Sequence, residues 1–197
     1  MESTNLLYFP TMIGIMHEVR AAILKILYDL AKEHPRAWTS EKAIADELGL
    51  TLEETIFHLE YLEQKGFIRY QKTLDRSGGG MIKITALGID AVEAPEQFVK
   101  DAPFLQQLII YGNVVNSTIL QAESIKIRNG LNRIIEQVDD AEIRKLIEEL
   151  IVESYQEKPD GNKIKTVFNK IKQKAPEIAE KISPIVIKLL ERWLNTS

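Results

Sequence analysis

Residues 44–68 read IADELGLTLEETIFHLEYLEQKGFI, and they hold two helices with a tight joint between them. In the first helix Ile44, Ala45 and Leu48 recur at helical spacing and share an inner face. Ser40 stands ahead of it as an N-cap. Gly49 ends it, because glycine accepts the left-handed conformation that closes a helix. A second helix begins at once. Thr51-Leu52-Glu53-Glu54 has the form of a capping box, the Thr51 side chain accepting from the backbone N–H of Glu54. Leu52, Thr55 or Ile56, Leu59 and Leu62 make its buried stripe, and Lys65-Gly66 closes it. The joint Leu48-Gly49-Leu50-Thr51 is that of a helix-turn-helix.

Outward from this pair the pattern continues on both sides. Upstream, Val19, Ala22, Ile23, Ile26, Leu27, Leu30 and Ala31 follow the alternating three- and four-residue rhythm of one helical face. His34-Pro35 stops that helix, since the residue before proline is pushed out of the helical region. Trp38-Thr39 reads as a short extended link. Downstream, Phe67–Lys72 is a strand pattern, Ser77-Gly78-Gly79-Gly80 a flexible turn, and Met81–Thr85 a second strand. Three helices followed by a hairpin with a glycine-rich tip is the order of a winged helix.

Residues 15–94 resemble the winged helix-turn-helix transcriptional regulators of the broad bacterial and archaeal type. IADELGLTLEETIFHLEYLEQKGFI looks like that family's second and third helices, and MIKITALGIDAVE (81–93) like its returning wing strand and the start of the next helix. The resemblance covers less than half of the chain. It implies a DNA-binding domain whose third helix enters the major groove.

The rest of the chain has a different character. Residues 94–104 (APEQFVKDAPF) hold two prolines and few core candidates, which puts a linker at 95–107. Over 108–126, β-branched residues interrupted by Gly112, Asn113 and Asn116 predict a short β segment. Its GNVVNSTI (112–119) resembles segments found beside bacterial signalling and phage-defence modules. Residues 127–197 form a helical bundle suited to oligomerisation, with Asp139 or Asp140 as a cap and Pro159-Asp160-Gly161 as a break. Pro176 sits at a first turn, and Pro184 should kink or divide the last helix. The fold class is thus α+β, mostly α: a winged helix-turn-helix over 1–94 with an apolar N-terminal extension, then linker, β segment and bundle.

Charge complicates the DNA reading. The chain carries 25 Lys/Arg against 29 Asp/Glu. Residues 1–94 hold 10 basic and 14 acidic side chains, whereas 95–197 hold 15 of each. Any DNA contact must therefore come from a local patch. Residues 51–63 contain four Glu and no Lys or Arg, and carboxylates repel phosphates. Between 65 and 83, by contrast, Lys65, Arg69, Lys72, Arg76 and Lys83 face the single acid Asp75. A basic hairpin of this kind suits phosphate contact or minor-groove insertion.

The candidate DNA-binding residues are Ser40, Phe57, His58 and Tyr61 with the wing's Arg69, Lys72, Arg76 and Lys83. Phe57 and Tyr61 lie four apart and share a face. Turned outward, they would stack on bases or on a protein; with the helix rotated, Phe57 would be core.

Enzyme chemistry finds no support. Cysteine is absent, and His17, His34 and His58 are scattered without metal-ligand spacing. The Gly78–Gly80 turn lacks the Gly-Lys-Ser/Thr ending of a phosphate loop. No metal or cofactor is expected, nor a targeting segment or a membrane span, which together place the protein in the cytoplasm. The function expected is a transcriptional regulator that binds double-stranded DNA as a homodimer. The apolar N-terminal stretch (Leu6, Leu7, Tyr8, Phe9, Met12, Ile13) and the segment 108–120 would supply the dimer contacts. The alternative is a protein-interaction or assembly module built on a winged-helix scaffold without DNA binding.

Overall fold

A computed structural model describes residues 12–72, 79–111, 117–156 and 158–195. The chain divides into two units, residues 1–122 and 123–197. It is mostly helical, with one small antiparallel sheet. Among the described residues no helix is long and apolar enough to cross a membrane.

The first unit runs α1 (Met12–Glu33), β1 (Thr39–Ser40), α2 (Glu41–Leu48), α3 (Leu52–Gln64), β2 (Ile68–Gln71), β3 (Met81–Ile84), α4 (Ala86–Glu93) and α5 (Gln106–Tyr111). α1 is the centre of this unit, packing on α3, α4 and β3. Because neighbours cover it on more than one side, Ala21 and Leu24 are buried along with Val19, Ala22, Ile23 and Leu27. Ile26, Leu30 and Ala31, expected inside, are half-buried.

Local signals act as their chemistry requires. The Ser40 hydroxyl accepts from the Ala43 N–H at 3.1 Å, and Gly49 takes φ 62° at the end of α2. The Thr51–Glu54 capping box is closed in both directions, at 3.2 and 2.6 Å. Leu52 departs from the expected stripe. It sits in the first turn of α3 and is 45% exposed, so the buried row begins at Thr55.

The sheet has the order β1-β3-β2, with Thr39 opposite Ile82. The extended link at Trp38-Thr39 thus adds a third strand. Ile68 pairs with Ile84 and Tyr70 with Ile82 on the buried face. The hairpin is tied to α2 at its base. The Tyr70 hydroxyl donates to the carboxylate of buried Glu41, and the Glu41 N–H donates to the Gly80 carbonyl at 3.1 Å. Burial, then the bond to Glu41, pushes the Tyr70 phenol well above its ordinary range. A Cβ on Gly80 would stand 2.2 Å from Glu41 Oε1 and 2.3 Å from the Tyr70 ring. Gly80→Ala is therefore expected to destabilise the first unit by about 1–3 kcal/mol through overpacking. Urea unfolding compared with the parent chain checks this, and an unchanged midpoint would rule the contact out as a constraint.

Two sequence expectations are corrected here. Residues 95–107 are not a spacer. Pro95–Gln97 and Pro103–Leu105 form 3-10 turns, and Ala102, Phe104, Leu105 and Leu108 are buried in the first unit. Phe104 meets Tyr61 edge-on at 6.1 Å and Phe67 at 5.9 Å. The prolines fix tight turns that bring a few apolar side chains together. The β segment over 108–126 is also replaced. α5 reaches Tyr111 and α6 (Ser117–Ile135) begins at Ser117, while residues 112–116 lie outside the described residues. β propensity depends on context, and burial of Ala122 and Ile125 at helical spacing overrides it here.

In the second unit the later part of α6 joins α7 (Ala141–Ser154), α8 (Gly161–Lys174) and α9 (Pro176–Asn195). Ile127, Leu131, Ile147, Leu150, Ile164, Ile171, Ile182 and Leu189 are among its core residues. Asp140 and Asp160 cap α7 and α8 through their side chains. α9 runs on undivided past Pro184, so of the expected kink or division the division does not occur. Glu180, whose carbonyl loses its donor there, is exposed like Pro184 itself, so water can serve it.

Candidate nucleic-acid interface

Two of the wing residues, Arg69 and Lys83, are brought to one face. Arg69 and Lys83 stand opposite each other across the β2–β3 pair, beside the Gln71–Met81 pair. Alternation along the strands turns these four away from the buried Tyr70 and Ile82. Lys72 is engaged elsewhere. Its ammonium donates to Glu60 Oε1 at 2.8 Å, and that bond raises its pKa. Arg76 lies outside the described residues.

Three of the four glutamates on α3 have internal tasks. Glu54 closes the capping box, Glu60 is neutralised by Lys72, and Glu63 Oε1 accepts from the Tyr70 N–H at 3.2 Å. Glu53 sits in the first turn, where the helix dipole favours an acid. Much of α3's acidity therefore belongs to its own capping and to its tie with the hairpin. Composition alone hides this, because the pairing is made across elements.

The remaining candidates separate from the wing. Ser40 caps α2, which accounts for its side chain. Phe57 is turned outward, 53% exposed. His58 is buried at 6% exposure, its ring edge-on to Phe57 at 5.3 Å. Tyr61 is half-buried beneath Arg20, whose guanidinium lies 3.7 Å from the ring centroid. Burial and then the nearby Arg20 charge lower the His58 pKa to about 4, against a smaller opposing pull from Glu54. His58 is therefore neutral at pH 7 and turned inward. Burial, then Arg20, also lowers the pKa of His17.

Reasoning from sequence did not single out Arg20, Glu41 or Glu63. A signal for Arg20 was present: it precedes Ile23, Leu24 and Leu27 at intervals that put it on the buried side of α1. Among the described residues no group of three or more His, Cys, Asp or Glu is placed to hold a metal ion. Comparison with protein-family models, with curated proteins and with solved structures returns no match.

Proposed function

We propose that residues 15–94 are a winged helix-turn-helix that binds double-stranded DNA, with the chain acting as a homodimeric transcriptional regulator. The observation that carries this reading is the Arg69–Lys83 pair on the outer face of the β2–β3 hairpin. Beside that pair, the Lys72–Glu60 bridge reduces the negative field of α3. The order of α1, α2, α3 and hairpin supports it further. In this reading the hairpin grips phosphate, and α3 offers Glu53, Phe57 and Gln64 rather than arginines, so its base readout is weak. Dimerisation follows from the geometry of two half-sites one turn apart.

The test is retention of mixed-sequence duplex by the full chain across a salt series. Binding should weaken steeply with salt, and Arg69→Ala/Lys83→Ala should flatten the slope by about 2. Equal binding by the double variant would remove the wing from the reading. A second reading, an assembly module without DNA binding, is favoured by exposed Phe57 and Leu52 on one acidic helix. Absence of retention even at low salt, with self-association intact, would select it.

A further inference from the structure

We propose that the outer face of α8 is a second contact surface for double-stranded DNA, with lysines on phosphates and a row of amides on base edges. The surface belongs to the second unit, and the inference does not rest on the hairpin of the first. α8 reads GNKIKTVFNKIKQK. It holds five lysines and no acid, in a chain where acids outnumber bases by 29 to 25. Its neighbours mix the signs. α7 carries Glu142, Glu148 and Glu149 with Arg144 and Lys145, and α9 carries Glu177, Glu180 and Glu191 with Lys181 and Lys188. Mixed signs suit a face that only meets water, because opposite charges three or four apart support the helix. α8 forgoes that support.

The arrangement on α8 is ordered. Ile164, Val167 and Ile171 form its buried side. Opposite them Asn162, Thr166, Asn169 and Gln173 follow at intervals of four, three and four, all exposed. That spacing makes one row along the outer face. Lys165 and Lys172 flank the row on one side, and Lys163, Lys170 and Lys174 on the other. Lys163 is held by Glu153 at 2.7 Å and Lys174 by Glu142, both from α7. Among the described residues no ion pair engages Lys165, Lys170 or Lys172, so a cation remains on each flank. The Lys165 ammonium lies 4.9 Å from the Trp193 ring, a contact that orients it without neutralising it.

The row itself is costly to the helix. Asn and Thr are weak helix formers at positions where Ala, Glu or Lys would stabilise. The Thr166 hydroxyl donates back to the Asn162 carbonyl at 2.8 Å. Among the described residues no hydrogen bond engages the side-chain amide of Asn169 or Gln173. The face thus gives up helix stability and keeps amides open for another molecule.

This chemistry selects duplex DNA. A carboxamide pairs with the N6 and N7 edge of adenine, which faces the major groove, while lysines beside it meet the phosphates. A helix about 10–12 Å across fits a groove about 12 Å wide. From Asn162 to Gln173 the row spans about 16 Å, the length of about five base pairs at ~3.4 Å each. The major groove of duplex RNA is too narrow to admit it. An anionic membrane surface is held by apolar residues on the contacting face, and the exposed residues of α8 include none.

The test is fluorescence anisotropy of the full chain with two short DNA duplexes across a salt series, one rich in A·T pairs and one of G·C pairs only. The parent should favour the A·T-rich duplex about tenfold. Lys165→Gln/Lys170→Gln/Lys172→Gln should flatten the salt slope by about 3. Asn169→Ala/Gln173→Ala should keep the slope and lose the preference. All five side chains are exposed, so both variants should keep the parent's fold. An unchanged slope in the lysine variant would overturn the proposal. If phosphatidylserine vesicles then bound the parent and not that variant, the face would belong to a membrane. Absence of the preference in the parent, its survival in the amide variant, or equal binding of duplex RNA would each overturn the proposal too. Arg69→Ala/Lys83→Ala acts on the hairpin alone, so failure of this surface and failure of the hairpin are told apart by which variant changes the slope. No retention by the parent at low salt would remove both surfaces.

Discussion

Phe104→Ala is expected to lower the stability of the first unit by about 3–5 kcal/mol, the range for emptying a fully buried aromatic site. Phe104 is 0% exposed and is held edge-on by Tyr61 and Phe67, so little can collapse into the space it leaves. The chain has two tryptophans, Trp38 in the first unit and Trp193 in the second. Urea unfolding followed by Trp38 in a Trp193→Phe background therefore reports the first unit separately. A loss below about 1 kcal/mol, the size of a surface effect, would mean that residues 95–107 are a spacer after all. A chain cut at Glu93 loses Ala102, Phe104, Leu105 and Leu108 together, and it should fail to hold the fold. Any fragment used for binding must for that reason extend to the end of the first unit.

The second large effect is acid sensitivity. His58 titrates near 6.5 when unfolded and at about 4 in the fold. Between these values the unfolded chain takes up a proton that the folded chain refuses. Stability contributed by the neutral, buried ring is thus complete above pH 6.5 and is lost as pH falls toward 4. The loss amounts to about 3 kcal/mol. His58→Gln removes the titrating group, so the difference in unfolding free energy between parent and variant should slope across that window and flatten on either side. Parallel pH profiles for the two proteins would show that His58 is hydrated.

Much of the first unit was legible because its signals are local. Ser40, Gly49, the Thr51–Glu54 box and the Lys65-Gly66 stop depend on neighbours within a turn, and hydrogen bonds at that range are decided by residue type. The His34-Pro35 stop and the hairpin strands were readable for the same reason. Likewise, the Asp140 cap of the second unit, one of the two alternatives the sequence offers there, needs only the backbone just after it; Asp160 reads in the sequence as part of a break, though its cap is as local.

What the tertiary structure alone decided was everything made between elements. Whether Phe57 or His58 faced inward turned on a rotation of α3 by part of a turn. His58 fits the row Thr55, Leu59, Leu62 as well as any apolar residue would, and packing on α1 chose it for burial. The residues at 95–107 carry too few apolar side chains to announce a core, yet two proline turns aim Phe104 between Tyr61 and Phe67. On either side of 112–116, the described residues 108–111 and 117–120 lie in helices in spite of their β-branched content. Net charge conceals the most, since it counts carboxylates without their partners. Glu60 on Lys72, Glu63 on the Tyr70 N–H and Arg20 on the Tyr61 ring are made between elements, and a linear chain does not specify them until its surfaces meet.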